Sequence, residues 1–462
     1  MTRSILSPKR RALAAVAGGA SLALVLTACG GSGGGDETSG SSGEASSIDC
    51  APYEEFGDLD GTSVNVYTSI VDPEAQTQKD SYKPFEDCTG VTIDYEGSRE
   101  FEAQLLVRVK AGNAPDIAYL PQPGLLQTIV QDTGTIVPAP DATAKNVDEN
   151  WEASWKDYGT VDGVFYAAPL GANVKSYVWY SPAAFSDGGY EVPETWDDLM
   201  ALSKQYSEDN DGALPWCAGV ESGDATGWPG TDFVEDMMLR TAGPDVYDQW
   251  YKHEIPFNDP QVVTAFDTAG EVLKDPAMVN AGLGGVDSIA TTPWTDAGFG
   301  LLDGTCFLHR AANFYQTQFP EGTDVSKDGD VFAFYLPTNQ TDIKPVEVGG
   351  EFVAAFNDRP EVQAFQTYLS SAEWANAKAK ATPDGGWVSA NKGLDPENLS
   401  TEFDKLSAEI LADPQTVSRF DASDLMPGAV GAGTFWTGIV NWLTGASTQE
   451  VVDQIEASWP AS

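Results

Sequence analysis

The segment VTIDYEGSREFEAQLLVRVKAGNAPDIAYLP, residues 91–121, decides the fold class because it contains two different hydrophobic patterns. A short run rich in β-branched residues at 91–98 is followed by apolar residues at helical spacing within 99–112, and a second apolar run occupies 114–121. Strand, helix and strand in this order require a crossover connection, which places the strands parallel and the helices on the faces of the sheet. We therefore predict an α/β fold.

The same alternation continues on both sides of this segment. SVNVYTSI at 63–70 predicts a further strand, and the polar stretch at 73–88 predicts a helix. After an apolar segment at 166–185, a second series of helix and strand patterns begins, in which Thr195 and Thr231 are the predicted N-caps of two helices. A chain of 462 residues exceeds what one hydrophobic core usually holds, so we predict two lobes.

Composition restricts the possible partners. The chain carries 70 acidic and 25 basic residues, with a formal net charge of −45. Nucleic acids and anionic lipid headgroups need a basic surface, so both are poor partners. The acidic residues are dispersed, and 42% of the residues are hydrophobic, which is enough to build a large core under a well-solvated surface.

The N-terminus has the layout of an export signal. Arg3, Lys9, Arg10 and Arg11 precede an apolar run, and Leu26-Thr27-Ala28-Cys29 resembles the lipobox of bacterial lipoproteins. We predict a signal peptide at 1–28 and a lipid-modified Cys29 within a Gly/Ser-rich tether at 29–49, which would hold the protein at the outer face of the cytoplasmic membrane. A retained transmembrane helix is the alternative that the apolar run leaves open.

Four cysteines follow Cys29, and they allow three disulfide pairings. Export to an oxidising compartment favours disulfides, and the absence of a CxxC motif, with only two histidines, disfavours a metal site. The spacing favours two local pairs, Cys50 with Cys88 and Cys217 with Cys306.

Several segments together resemble the extracellular solute-binding proteins of the maltose-binding-like family. They include APDIAYL at 114–120, VFYAAPLGANVKSYVWYSPAAF at 164–185, ESGDATGWPGTDFVEDMML at 221–239 and FNDRPEVQAF at 356–365. The resemblance covers nearly everything after residue 60, and it is strongest to members that bind α-glucosides and other oligosaccharides.

The resemblance implies two discontinuous α/β lobes with a ligand cleft between them. It places 50–170 plus 308–348 in lobe one and 171–307 plus 349–462 in lobe two, with chain crossings near 168–175, 307–312 and 346–352. It further implies a receptor without enzyme activity or cofactor, which captures a carbohydrate by hinge closure and delivers it to ABC transporter permease subunits. We expect the protein to be monomeric.

The chemistry of sugar capture indicates candidate ligand contacts in the second lobe. A pyranose has an apolar face and a rim of hydroxyl groups, so a binder needs aromatic rings together with polar side chains. Trp228, followed closely by Thr231 and Asp232, and Trp387 lie in polar Gly-rich loops, and Trp436 follows a Gly-rich loop. The alternatives are core packing for the tryptophans and helix capping for Asp232.

Further candidates lie where strands end, because ligands of such sheets bind at the carboxyl ends of the strands. These candidates are Ser69, Ser98, Arg99 and Gln122 in the first lobe and Gly350-Glu351 at the third crossing. A surface charge pair is the alternative for Arg99, and pure hinge geometry is the alternative for Gly350-Glu351.

Two other functional classes remain open at the level of sequence. The first is a receptor for a non-sugar solute such as a polyamine, because an acidic cleft with tryptophans can hold a cation. The second is a secreted glycoside hydrolase that uses two carboxylates, although carboxylate pairs are expected by chance among 70 acidic residues.

Overall fold

The structure is a computed structural model and describes residues 48–280 and 285–460. The predicted signal peptide at 1–28, the predicted lipid anchor Cys29 and most of the tether lie outside the described residues. Within those residues the strands are β1 (Ser63–Thr68), β2 (Thr92–Gly97), β3 (Ile117–Leu120), β4 (Thr160–Val161), β5 (Val164–Phe165), β6 (Ala167–Pro169), β7 (Asn173–Val174), β8 (Tyr177–Tyr180), β9 (Trp216–Cys217), β10 (Val279–Asn280), β11 (Leu308–Arg310), β12 (Phe332–Tyr335), β13 (Lys344–Gly349), β14 (Phe352–Ala355) and β15 (Thr416–Phe420).

Helices follow the strands β1, β2 and β3 directly, as the alternating pattern predicts. The α-helices are α1 (Glu74–Thr89), α2 (Phe101–Lys110), α3 (Pro123–Thr133), α4 (Asp141–Asn150), α5 (Ala153–Tyr158), α6 (Pro182–Gly188), α7 (Trp196–Asp209), α8 (Trp228–Thr241), α9 (Pro244–Tyr251), α10 (Pro260–Leu273), α11 (Gly300–Asp303), α12 (Pro360–Leu369), α13 (Ala372–Lys380), α14 (Glu402–Ala412), α15 (Ala422–Leu425), α16 (Trp436–Leu443) and α17 (Thr448–Ser458). None of the helices in 48–280 and 285–460 is long and apolar enough to cross a bilayer.

The first sheet has the strand order β2-β1-β3-β14-β6. Strand β1 pairs in parallel with β2 and β3, which confirms the α/β prediction for this segment. Strand β14 runs antiparallel to β3 and β6, so the sheet is mixed. Its helices pack Phe85, Phe365 and Tyr368 into a cluster of stacked and tilted rings.

The second sheet has the order β10-β9-β11-β8-β12. Strand β9 pairs in parallel with β10 and β11, whereas β8 runs antiparallel to β11 and β12. Helices α8, α10, α16 and α17 share a core around the fully buried Trp250 and Trp442. The two sheets with their helices form the two lobes.

Two strands of a third, three-stranded sheet of order β15-β13-β7 lie where the chain runs between the two lobes. Strand β7 lies between β6 of the first sheet and β8 of the second, and β13 lies between β12 of the second sheet and β14 of the first. These two passages agree with the predicted crossings near 168–175 and 346–352.

The predicted division of the C-terminal half does not match this pairing. Strands β11 and β12 lie within 308–348, which we assigned to lobe one, but both pair with β8 in the second sheet. Strand β14 lies in the segment assigned to lobe two, but it pairs with β3 in the first sheet. The predicted crossing near 307–312 is wrong for the same reason, because β11 stays in the second sheet.

Both disulfides predicted from spacing are present. Cys50 bonds to Cys88 at the end of α1, and Cys217 in β9 bonds to Cys306 just before β11. The first bond closes a loop of sequence separation 38 in the first lobe, and the second closes a loop of separation 89 in the second lobe.

Helix α8 begins earlier than the capping pattern predicts. Thr195 caps α7 as expected, since its Oγ1 accepts a hydrogen bond from Asp198 N at 3.1 Å. Thr231, the predicted cap of the following helix, instead lies inside α8, where its Oγ1 donates to Trp228 O at 2.9 Å. Gly227 at φ 118° turns the chain, and a proline near the helix start fits the first turn, so the helix begins at Trp228.

Candidate functional site

A cavity of about 1120 Å³ lies between the lobes, at the ends of several strands and helices. The chain just after β1 and β3 forms one wall, and the starts of α8 and α16 form the other. Asn173 of β7 and Gly349 of β13 form part of the lining where the chain passes between lobes. Ligand sites of α/β sheets occupy this kind of position.

Three aromatic rings form a corner on the second-lobe side. The centroids of Trp228 and Trp294 are 5.2 Å apart at 68°, and Phe314 lies 5.7 Å from Trp294 at 90° and 6.1 Å from Trp228. All three side chains line the cavity and keep part of their surface exposed. This corner presents flat apolar surface to whatever occupies the cavity.

Buried polar atoms that have no hydrogen-bond partner within residues 48–280 and 285–460 also line the cavity. They are Gln78 Oε1, Gln122 Oε1, Gln316 Oε1 and Trp436 Nε1, on side chains that are 3–4% exposed. A buried polar atom that lacks a hydrogen bond costs about 1–3 kcal/mol. A ligand with several hydroxyl groups would supply the missing partners.

Lys175, in the passage between β7 and β8, lies in a cluster of buried carboxylates at the base of the cavity. Its Nζ lies 3.1 Å from Asp232 Oδ1 and 3.9 Å from Glu347 Oε1, and it also donates to Asp421 Oδ2. The ammonium lies 5.7 Å from the ring centroid of Trp228. Lys175 and Asp421 line the cavity, so this cluster connects the ligand space to the passage between the lobes.

Arg310 at the end of β11 extends the same network away from the cavity. Its Nη2 donates to Asp236 Oδ2 and to Glu347 Oε2, each at 2.6 Å, and its Nη1 donates to Asp232 Oδ2 at 3.1 Å. Arg240 Nη1 donates to Asp236 Oδ1 at 2.6 Å. The side chains of all these residues are at most 3% exposed.

Burial and charge act against each other on these carboxyl groups. Burial raises the pKa of Asp232 to about 6, although Lys175 and Arg310 lower it, and burial holds the pKa of Glu347 well above its usual range. Burial also acts on Asp236, but Arg240 and Arg310 keep its pKa below the usual value. The network therefore depends on its cations to keep its carboxylates charged.

Asp232, Glu347 and Asp421 are the carboxylates that come close enough to share an ion among residues 48–280 and 285–460. Their oxygen atoms lie within 4.8 Å of one another. The Lys175 ammonium contacts all three, so the cation that balances this trio is a side chain of the protein.

The structure brings most of the predicted site residues together. Eight of them line the cavity, namely Ser69, Arg99, Gln122, Trp228, Gly350, Glu351, Trp387 and Trp436. Trp387 and Trp436 are 9% and 4% exposed, so they belong to the core as well as to the cavity wall.

Three predicted site residues do not line the cavity. Ser98 instead stabilises the start of α2, since its Oγ accepts from Glu100 N at 3.1 Å. Thr231 lies inside α8. Asp232 is fully buried in the Lys175 and Arg310 network, so it acts neither as a helix cap nor as a cavity residue.

Sequence reasoning missed other lining residues, among them Glu74, Lys175, Trp294, Lys378 and Asp421. Lys175 had a usable signal, because it lies in a predicted crossing segment. Glu74 comes soon after the end of β1, which also favours a site residue. No local pattern marks Trp294, Lys378 or Asp421. These residues line the cavity only because folding brings together segments that are distant in the sequence.

Comparisons with known proteins agree with this architecture. The model of the bacterial extracellular solute-binding protein family matches residues 67–376. The chain is 40% identical over 408 residues to the osmoprotective compounds-binding protein GgtB of Synechocystis sp., and this alignment covers 87% of this chain and 94% of GgtB. It is 37% identical over 436 residues to the alpha-glucosides-binding periplasmic protein AglE of Rhizobium meliloti, and that alignment covers 90% of this chain and 92% of AglE.

A solved structure extends the comparison to the fold. The bacterial solute receptor AcbH, described with an exclusive preference for β-D-galactopyranose, aligns with a TM-score of 0.70 over 86% of this chain and 97% of that chain. The two sequences are 20% identical, so this similarity shows a shared two-lobe fold.

Proposed function

The chain belongs to the bacterial extracellular solute-binding protein family, and on this premise we propose that it is the substrate-binding receptor of an ABC-type sugar importer. Its ligand is a carbohydrate, an α-glucoside or another oligosaccharide, which it delivers to the membrane permease. The relatives named for α-glucosides and for osmoprotective compounds support this class of ligand. As a member of a family of binding proteins it acts by binding, without catalysis.

The cavity lining carries this proposal. Aromatic rings at the Trp228 corner suit the apolar face of a sugar ring, and the unpartnered atoms of Gln78, Gln122 and Trp436 suit its hydroxyl groups. A volume of about 1120 Å³ is large enough for more than one sugar ring. Few other solutes combine flat apolar faces with so many hydroxyl groups.

We propose that ligand binding closes the lobes about the strands β7 and β13. Both strands run from one lobe to the other, and Gly349 and Gly350 follow each other at the end of β13 beside the cavity. A ligand that contacts both walls is buried when the lobes approach, so it stabilises the closed form. The closed form is the one that the permease would recognise.

A polyamine is a less suitable ligand. A bound cation needs an aromatic face or a carboxylate that no other cation already occupies. The Lys175 ammonium already lies 5.7 Å from the Trp228 centroid and already contacts Asp421, so it would repel a second cation at this wall.

We propose in addition that the signal peptide is removed and that Cys29 carries the lipid that anchors the receptor outside the cell. The lipobox-like sequence supports this step. Labelling with a radioactive or clickable palmitate, for the wild type and for Cys29→Ala, tests it directly. A Cys29→Ala protein that keeps the label would exclude this anchor.

A binding screen tests the function itself. We would titrate the purified protein by calorimetry with trehalose, maltose, sucrose and maltotriose, and with spermidine as the cationic comparison. A ligand that binds the folded state also raises the melting temperature by mass action. Stoichiometric binding of one sugar without products is the expected result; sugar cleavage would instead establish a hydrolase, and a response to spermidine alone would exclude the sugar receptor.

A further inference from the structure

One end of the cavity lies in the first lobe and is built around a buried lysine. We call this end the lysine pocket and define it by Glu74 and Gln78 of α1, Glu351, Lys378 of α13 and Trp387, all of which line the cavity. Glu74 and Gln78 are four residues apart and therefore lie on one face of α1. Lys378 is 2% exposed and forms no ion pair with any other described residue, which is rare for so buried a lysine.

Two hydroxyl groups hold the Lys378 ammonium in place. Its Nζ donates to Thr77 Oγ1 at 2.6 Å and to Thr382 Oγ1 at 3.2 Å. The proton of Thr77 Oγ1 is used in a bond to Glu74 O, and the proton of Thr382 Oγ1 is used in a bond to Lys378 O. Both hydroxyl oxygens must therefore act as acceptors for the lysine, which fixes the direction of these two bonds.

An ammonium group has three N–H donors, so one of them remains for a ligand. Within the described residues neither a third hydrogen-bond acceptor nor a carboxylate in ion-pair contact is found for Lys378 Nζ. The ring of Trp387 lies 5.7 Å away. Independently, Gln78 Oε1 is a buried acceptor to which none of the residues that the structure describes donates, on a side chain that is 3% exposed and lines the same pocket.

The charges around Lys378 come from four carboxyl groups. Burial lowers the pKa of Lys378 to about 8, while Glu74, Glu351, Asp404 and Asp80 raise it in that order. Burial raises the pKa of Glu74 to about 7, and the charge of Glu351 adds to this effect. The pocket thus holds one cationic donor, Lys378, whose pKa lies close to neutral pH. Beside it lie the carboxyl groups of Glu74 and Glu351 and the neutral amide of Gln78 as acceptors.

We propose that Lys378 is a specificity-determining residue, which donates its third N–H to a hydroxyl oxygen of a terminal sugar ring held in the lysine pocket. Gln78, Glu74 and Glu351 accept hydrogen bonds from hydroxyl groups of the same ring. This inference rests on the proposed carbohydrate receptor and defines its ligand further. The pocket selects a terminal ring with adjacent free hydroxyl groups, since one donor and several acceptors match a diol. It selects a neutral ring, because Glu74 and Glu351 would repel an anionic one.

The first test is calorimetric titration of Lys378→Met and Lys378→Gln with trehalose, maltose and sucrose. Loss of a hydrogen bond from a charged donor should weaken binding of the tightest of these sugars by about tenfold to a hundredfold in Lys378→Met. Lys378→Gln keeps an amide donor and should recover part of the loss. Lys380→Met is the matched control, because Lys380 is an exposed lysine at the end of the same helix, and its dissociation constant should stay within about twofold of the wild type.

The second readout separates ligand contact from a structural role. Titrations at pH 8 in two buffers of different ionisation enthalpy give the number of protons taken up on binding. A hydrogen bond from Lys378 to the ligand favours the ammonium form and raises the lysine pKa, so the wild type should take up as much as about half a proton. Lys378→Met should take up fewer protons than the wild type, and any uptake that remains comes from Glu74, whose pKa burial raises to about 7.

The outcomes are distinct. If none of the three sugars binds the wild type, the proposed function and this inference both fail. If a sugar binds the wild type and Lys378→Met equally well, or if both proteins take up the same number of protons, the receptor function stands and the role of Lys378 is refuted.

Discussion

Arg310→Met should be strongly destabilising, because Arg310 is the main cation of a buried network. Its side chain is 3% exposed and contacts Asp232, Asp236 and Glu347. In the variant, Asp232 keeps Lys175 at 3.1 Å, and Asp236 keeps its bond from Arg240. Among the described cations, Glu347 keeps only Lys175, whose Nζ is 3.9 Å away. The loss therefore falls mainly on Glu347.

Removal of one partner from a buried ion pair costs about 3–5 kcal/mol, since the remaining charge stays buried without compensation. We expect this loss in the free energy of unfolding at pH 8. Protonation relieves it: the pKa of Glu347 is already raised by burial, and the loss of Arg310 raises it further. A carboxyl group with a raised folded-state pKa favours folding at low pH, so the deficit of the variant should shrink as the pH falls from 8 to 5.

Urea unfolding followed by tryptophan fluorescence and by circular dichroism measures this, with coincident transitions as the condition for a two-state analysis. Arg419→Met is the matched control, because Arg419 contacts Asp248 at 2.7 Å with side chains that are 25% and 29% exposed, and it should cost at most about 1 kcal/mol. The double variant Arg310→Met/Glu347→Met should recover much of the loss. A cost for Arg310→Met no larger than that of the control, or a deficit independent of pH, would refute this reasoning.

Three further predictions concern the site and the covalent structure. Trp387→Ala should weaken sugar binding about tenfold or more in calorimetry, because Trp387 forms a wall of the lysine pocket, and unchanged affinity would remove it from the site. Asp404→Asn should remove a pH dependence of stability: burial raises the pKa of Asp404 to about 6, so wild-type stability relative to the variant should fall by about 2 kcal/mol between pH 4 and pH 7 in urea unfolding, and parallel profiles would contradict this. Replacing both Cys217 and Cys306 by Ser opens a loop of separation 89 and should cost about 4–5 kcal/mol in the chain-entropy model, whereas a change below about 1 kcal/mol in urea unfolding would contradict it.

Local signals predicted the elements of the first lobe well. The pattern in 91–121 is sufficient for β2, α2 and β3, because strand and helix periodicities differ and each segment shows one of them clearly. The pairs Cys50–Cys88 and Cys217–Cys306 were also predictable, since close spacing along the chain favours closure of short loops.

The division of the C-terminal half was not predictable in the same way. The composition of a short apolar run such as β11 or β14 fits either sheet, and only its pairing partner assigns it to a lobe. Pairing joins residues more than a hundred positions apart, as with β14 and β3, and no local pattern records such a contact.

The candidate site shows the same contrast. Aromatic residues in polar Gly-rich loops, such as Trp228 and Trp387, carry a local signal for ligand contact, and both line the cavity. Asp232 carries a similar local signal, but it is fully buried in α8, where it pairs with Lys175 from the passage between β7 and β8 and with Arg310 of β11.

The sequence alone determined the alternating α/β class, the two lobes and the disulfide pairs, because periodicity, chain length and cysteine spacing are all read along the chain. The tertiary structure alone decided which lobe holds each C-terminal strand, and it joined Lys378 of α13 to Thr77 of α1 beside the cavity. The physical reason is that hydrogen bonds, ion pairs and burial depend on distance in space, and residues that are 301 positions apart become neighbours only when the chain has folded.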